Sequence, residues 1–372
     1  MNTMATINNY NVPIEAIHPS ELIKDELRDR GLKRSDLAKR LDMQLSNLSR
    51  FLNKKEPITP QMALKLEEAL GIGAETWLSL QATYEKDLKT ISERDEKEKE
   101  FVSIESVLST VINLSLLFKQ LAIDGFSFAQ DRIKELYSKF QVNNTDALIA
   151  LATPTGRFKR SDRLITDEKN LKTWVLLAYQ KCLAESIQAP YQTGFAEIAA
   201  TEIAHAANSG DITEQQIKDI LQKYGIGYNY VPKIEKAPVD AYSTYVGSSP
   251  FIITSHRRKN MDMLVFDILH ELKHVHTDLT PGSSNLSCNE DGTNTDEKEL
   301  SANKFAEDKL IPPSIWQSIL KAQSKNLSPY NVFNAVINEA TRHGISPSIA
   351  AWRYKHETGQ YDRKGYSSPP IK

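Results

Sequence analysis

The chain has 372 residues, 25% of them charged and 40% hydrophobic, with a net charge of -2, enough for two or three globular domains and excluding a uniformly basic nucleic-acid coat. Two cysteines, Cys182 in an apolar stretch and Cys288 in a polar one, exclude a disulfide framework and predict a reducing setting. No leader pattern opens the chain and no apolar run approaches the roughly 20 residues that cross a bilayer, so a cytoplasmic protein with no membrane partner is expected.

Residues 1–17 are polar and unpatterned and read as a flexible arm. From His18-Pro19 the pattern changes. Ser20 is placed to cap a helix that buries Leu22, Ile23 and Leu27, and Gly31 ends it. A second short helix carries Leu37, Ala38 and Leu41, Asp42-Met43 makes a turn, and a third runs from Gln44 through Leu48 to Leu52. Two short helices at a tight turn, with small Ala38 at their contact, form a helix-turn-helix pattern. The third helix of such a unit enters the major groove, here presenting Gln44, Ser46, Asn47 and Arg50 to base edges. Gln and Asn pair bidentately with adenine, and Arg with guanine. Ten Lys or Arg against six Asp or Glu lie between residues 20 and 55; Lys33, Arg34, Lys39, Lys54 and Lys55 are the expected phosphate contacts. Asp42 stands at the turn position where Gly is commonest, and Asp tolerates the left-handed conformation better than most residues.

Thr59 and Pro60 start a fourth helix, and Trp77, Leu80 and Tyr84 form one stripe of a fifth. Residues 18–84 thus make a five-helix domain. Through His18-Pro-x-Glu-Leu-Ile, the helix-turn-helix, Pro57-Ile-Thr-Pro-x-Met-Ala-Leu and Glu75-Thr-Trp-Leu it resembles HigA-type antitoxins over about 70 residues. The resemblance implies double-stranded operator DNA, a homodimer and a toxin partner. Trp77, Leu80 and Tyr84 then belong either to an interface or to the domain core.

Residues 85–100 hold twelve charged side chains in sixteen and read as a charged linker or an exposed helix, with the domain boundary there. Residues 101–224 read as a mostly helical middle region with no catalytic constellation. His205 reads as a core histidine, and 156–161 as a basic loop. Three segments rich in β-formers follow, 228–231, 241–246 and 250–254, separated by turn residues. They predict a small antiparallel sheet. Residues 251–254 are the candidate edge strand for an extended substrate, with packing the competing role.

Residues 261–276, MDMLVFDILHELKHVH, predict one helix half buried in a core. His270 and His274, four apart, share a face and can aim ring nitrogens at one zinc ion. Glu271 sits about 100° round the axis, placed to act as general base without binding the metal. Zinc needs a third protein ligand. A second helix from about residue 295 to Pro313 carries Glu299, which we take as that ligand, with Glu297 and Asp296 next. Asn303, one turn on, would orient a ligand, and Ala302, Phe305 and Ala306 form a stripe for close packing on the histidine helix. His276 lies on another face. His270-Glu-Leu-Lys-His274 with Glu299-x-x-Ala-Asn-x-Phe-Ala resembles the ImmA/IrrE family of zinc metallopeptidases. Those proteins usually have Gly where this chain has Lys273, whose ammonium must point away from the ion. Phe158-Lys-Arg-Ser and Leu171-Lys-Thr-Trp174 resemble the central segment of long regulators fusing the two modules. Residues 280–294 read as a disordered insertion or a lid. His343 and His356 join the site only if the fold brings them there.

The expected protein is mainly α (α+β). It has an arm (1–17), a five-helix DNA-binding domain (18–84), a linker (85–100), a helical middle (101–224) and a zincin-like metallopeptidase domain (225–372). The expected function is a transcriptional regulator of the antitoxin type that cleaves a regulatory protein. The alternative is an antitoxin or repressor whose zinc domain only binds its partner.

Overall fold

The structure, a computed structural model, describes residues 12–54, 56–153, 166–210, 212–287, 297–321, 329–360 and 366–371, in two compact units. Lys55, the loop 156–161, Cys288 and Asp296 lie outside them.

The first unit takes the chain to Ile104 together with Phe126–Asp131. It contains α1 (Ser20–Asp29), α2 (Arg34–Arg40), α3 (Leu45–Leu52), α4 (Pro60–Leu70) and most of α5 (Ala74–Val111). The start of α1 departs from expectation. Ser20 is the first helical residue rather than the cap, and its hydroxyl is buried without a partner. His18 caps in its place. Its Nδ1 accepts the Ser20 amide at 3.1 Å, while its ring packs against Phe51 and Tyr84. Burial pulls the His18 pKa down, as a ring held neutral requires. Asp42 adopts φ 47°, and Lys65 Nζ donates to the Leu41 carbonyl at 2.9 Å across the turn. Thr59 caps α4 by accepting the Met62 amide at 3.3 Å. Leu37, Leu41, Leu48, Leu52 and Trp77 are fully buried, so Trp77 is core rather than interface. The charged stretch 85–100 is helical, as part of α5.

The second unit continues from Glu105 and includes the rest of the described chain. Helices α6 (Leu114–Gln120), α7 (Ala129–Phe140, its first turn counted with the first unit), α8 (Thr145–Ala152), α9 (Glu168–Leu183), α10 (Phe195–Asn208) and α11 (Glu214–Lys223) lead into strands β1 (Gly227–Tyr230), β2 (Ala241–Val246) and β3 (Ser249–Thr254). Then come α12 (Met261–Thr277), β4 (Ser284–Ser287), α13 (Glu297–Leu310), α14 (Pro313–Lys321), α15 (Pro329–Arg342) and α16 (Pro347–Thr358).

The sheet differs from the expected one in three ways. It has four strands in the order β1-β3-β2-β4, and it is mixed, because β1 pairs with β3 in parallel. β3 is therefore central, so residues 251–254 offer no open edge to a substrate. β4, read from sequence as part of an insertion or lid, instead pairs antiparallel with β2. The β2–β3 hairpin closes through Gly247, whose φ of 61° supplies the positive dihedral that a two-residue loop favours.

Gly225, between α11 and β1, meets a harder constraint. At φ 72° a Cβ there would lie 2.5 Å from the Tyr191 amide nitrogen and 2.7 Å from the Ala189 carbonyl oxygen. Backbone cannot yield as a side chain does, so Gly225→Ala is expected to destabilise the unit by about 3 kcal/mol, read as a lower urea midpoint at unchanged slope.

Helix α12 runs through the middle of the larger core. It packs on α10, α13, β2 and β3, and it is buried nearly all round rather than on one half. Close approach is possible because its neighbours are small: Ala196, Ala199, Ala200 and Ala204 on α10, and Ala302 and Ala306 on α13. The start of α12 has no side-chain cap. Residues 366–371 serve instead. The Met261 amide donates to the Pro369 carbonyl at 2.8 Å, the Asp262 amide to Ser368 Oγ at 3.1 Å, and the Ile371 amide to the Lys259 carbonyl at 3.2 Å. No single helix among the described residues is long and apolar enough to cross a membrane.

Candidate metal centre and helix-turn-helix face

His270 and His274 lie on α12 and Glu299 on α13, and the fold brings the three together. His270 Nε2 and His274 Nε2 are 3.1 Å apart. Glu299 straddles them, with Oε2 3.1 Å from His270 Nε2 and Oε1 3.2 Å from His274 Nε2. Both rings are turned by their far nitrogens. His270 Nδ1 donates to Asn303 Oδ1 at 2.8 Å, and His274 Nδ1 donates to Asp278 Oδ2 at 2.9 Å. With the protons held at Nδ1, both Nε2 lone pairs face the carboxylate. Three electron-rich groups converge in a largely buried place, and only a cation or a proton relieves their repulsion.

This donor set fits zinc. Bonds of 2.0–2.1 Å in a tetrahedron give ligand–ligand edges of roughly 3.3–3.4 Å, close to the separations seen. A proton can relieve the same repulsion in part. Burial opposes a charged His274, but hydrogen bonds and charges from Glu299, Glu271 and Asp278 push it up to about 9. Glu299, despite burial, is held well below the usual carboxylate range by the two histidines. The stabilisation from His274 is thus present below its unfolded value of 6.5 and lost as pH rises through about 9. A zinc ion would have to displace that proton. Its apparent affinity is expected to rise about tenfold per pH unit from 7 to 9 and then level off; competition with a chelator at several pH values checks this.

Glu271 stays out of the ligand group. Its carboxylate accepts a hydrogen bond from the Ser243 hydroxyl on β2, and both side chains are buried. Sequence reading missed Ser243, because nothing local marks one strand serine among others. It also missed Asp278, which the i, i+4 spacing from His274 could have flagged. Lys273 does not face the cluster: its Nζ lies 5.9 Å from the centre of the Phe305 ring. Glu297 is exposed. His276 Nε2 is 3.9 Å from Glu197, and its buried Nδ1 has no partner. His205, expected in the core, is exposed. His343 lies near Glu339 and His356 stacks on Trp352, so neither joins the centre.

In the first unit, Gln44, Ser46, Asn47 and Arg50 are exposed along the start and outer face of α3. Arg50 meets Glu56 at 2.8 Å, a surface pair of ~1 kcal/mol or less that leaves the guanidinium available. Lys33, Arg34 and Lys39 are exposed around α2, while Lys54 pairs with Glu21 at 3.2 Å.

A helix-turn-helix family profile matches residues 23–77. Over 96 residues the chain is 35% identical to virulence-associated protein I of Dichelobacter nodosus, covering 26% of this chain and 83% of that protein. It is 32% identical over 63 residues to the uncharacterized HTH-type transcriptional regulator YddM of Escherichia coli strain K12, covering 17% of this chain and 67% of that one. Among solved structures it is similar to an addiction module antidote protein of a HigA family from Coxiella burnetii. That match has 31% identity and a TM-score of 0.21, with 23% of this chain and 96% of that chain covered.

Proposed function

The chain belongs, through residues 23–77, to the helix-turn-helix family, and from that premise we propose that it is a transcriptional regulator of the antitoxin type whose second unit is a zinc-dependent endopeptidase similar to ImmA/IrrE proteins. The observation that carries the first half is the exposed face of α3, with Gln44, Ser46, Asn47 and Arg50 beside the basic surface of α2. As a homodimer it would set two such helices into adjacent major grooves of an operator. Arg50→Ala is expected to weaken binding and relax specificity at one base pair, by about 1–3 kcal/mol. Lys33→Ala should weaken binding to all sequences alike and lower the salt slope by about one. Gel retention at several salt concentrations separates the two. If neither variant changes retention, α3 is not the reading element.

The second half rests on the convergence of His270, His274 and Glu299 with Glu271 beside them. His270, His274 and Glu299 would hold Zn²⁺. When bound, the ion would polarise a peptide carbonyl and supply a nucleophile at neutral pH. Asn303 and Asp278 keep the imidazoles turned with Nε2 inward. Ser243 holds the Glu271 carboxylate in one orientation, from which Glu271 takes a proton from water and delivers it to the departing amine. The substrate would be a regulatory protein or a toxin partner.

Lys273, standing where ImmA/IrrE proteins usually have Gly, favours a second reading in which the zinc fold only binds its partner. Two observations weigh against it. The Lys273 ammonium rests over Phe305 rather than in the cluster, and a buried carboxylate held by a serine serves no purpose in simple metal retention.

A further inference from the structure

We propose that Leu45 is a specificity-determining residue that reads the C5-methyl group of a pyrimidine, thymine above all, in the major groove; the inference rests on the DNA-binding reading of α3. Leu45 is the first residue of that helix and is 49% exposed, whereas Leu48 and Leu52 on the same helix are fully buried. The buried face of α3 therefore begins one turn after Leu45, at Leu48. A single exposed leucine needs no explanation in general. This one stands among exposed Gln44, Ser46 and Asn47, at the end of the helix that contacts base edges, in a stretch with ten positive charges against six negative.

The neighbouring side chains can recognise hydrogen-bonding edges, but none presents a purely apolar surface. In the major groove the apolar feature of a base pair is the thymine C5-methyl, which 5-methylcytosine shares. An isobutyl group held at the start of α3 removes that methyl from water and is itself covered. A phosphate or a guanine edge would gain nothing from it. Gln44, Asn47 and Arg50 then account for hydrogen-bonded positions of a half-site, and Leu45 for one where a methyl is required.

The test uses the full chain to enrich binding sites from random duplexes. Each thymine of the enriched site is then replaced by deoxyuridine, which removes the methyl and keeps the pairing. Wild type is expected to lose about four-fold in affinity at one thymine per half-site, the ratio that burying one methyl group gives. Leu45→Met should keep that loss. Leu45→Ala, whose folding is checked by circular dichroism, should show none. Replacing the same pair by C·G, with and without C5-methylation, distinguishes the source: recovery on methylation means either methylated pyrimidine is read, and no recovery restricts reading to thymine. The proposal is overturned if deoxyuridine costs wild type nothing at every thymine, as it would if Leu45 served a protein partner. It is also overturned if Leu45→Ala discriminates as wild type does. Failure to enrich any site would instead remove the DNA-binding reading itself, before the methyl comparison begins.

Discussion

Glu271→Gln is expected, on the proposed zinc-peptidase reading, to bind one zinc ion per chain as wild type would, and to hydrolyse peptide bonds about 10²–10⁴-fold more slowly than wild type, the usual loss when a general base is removed. The separation follows from geometry. Glu271 bonds to Ser243 and is not one of the converging ligand atoms, so glutamine removes the proton acceptor and leaves the ion's cage intact. His270→Ala should behave differently. It deletes one of three ligands, leaves Asn303 Oδ1 and Glu299 Oε2 without their ring partner, and should lose both metal and hydrolysis. Metal content by mass spectrometry, with cleavage of quenched fluorescent peptide libraries, reads the two effects separately. Stoichiometric zinc in both wild type and Glu271→Gln, with equal cleavage in both, would show that Glu271 is not the base.

Trp77→Ala is expected to cost the first unit about 3–5 kcal/mol. Trp77 is fully buried among the helix-turn-helix residues, and its indole Nε1 donates to the Ile72 carbonyl at 3.0 Å. Truncation leaves both a cavity and an unpaired carbonyl. Small domains have roughly 5–15 kcal/mol in total, so between about a fifth and all of the unit's stability would be lost. Gel retention should weaken more steeply with temperature than in wild type, and hydrogen exchange of amides in α1–α4 should accelerate. Trp77→Phe, which refills most of the volume but loses the hydrogen bond, should fall between. Unchanged retention by Trp77→Ala would mean that this tryptophan is not part of the domain's stabilising core.

How much of this could be read beforehand depended on whether the signal was local. The first unit was readable because helix spacing, the Thr59-Pro60 start and the Asp42 turn each sit within a few residues of what they determine. The convergence of Glu299 on the two histidines could be anticipated from one helical turn, since Glu299 and Asn303 share a face. Ser243 could not: its partner lies 28 positions away, and which strand faces α12 is decided by packing. The sheet order was hidden for a similar reason. β1 and β3 pair in parallel across an intervening strand, a choice that alternating patterns do not encode. β4 was missed because a short strand rich in Ser and Asn has the composition of a loop. At α1 the competing signal won: Ser20 suits a cap, but the preceding histidine already fills that place.

The hold of residues 366–371 on the start of α12 also sets a timetable. A ribosome adds roughly 5–20 residues per second, and the last segment of the first unit, Phe126–Asp131, emerges long before Pro369. For roughly ten to fifty seconds of synthesis a nascent chain can own a finished helix-turn-helix before residue 369 is made, and for roughly the last five to twenty of them its histidine helix, complete at Thr277, still lacks the segment that secures its first turn. If the second unit is the peptidase proposed above, operator contact would then precede peptidase competence in a newly made molecule, and ribosomes stalled late in the message would leave a DNA-binding unit without its second function.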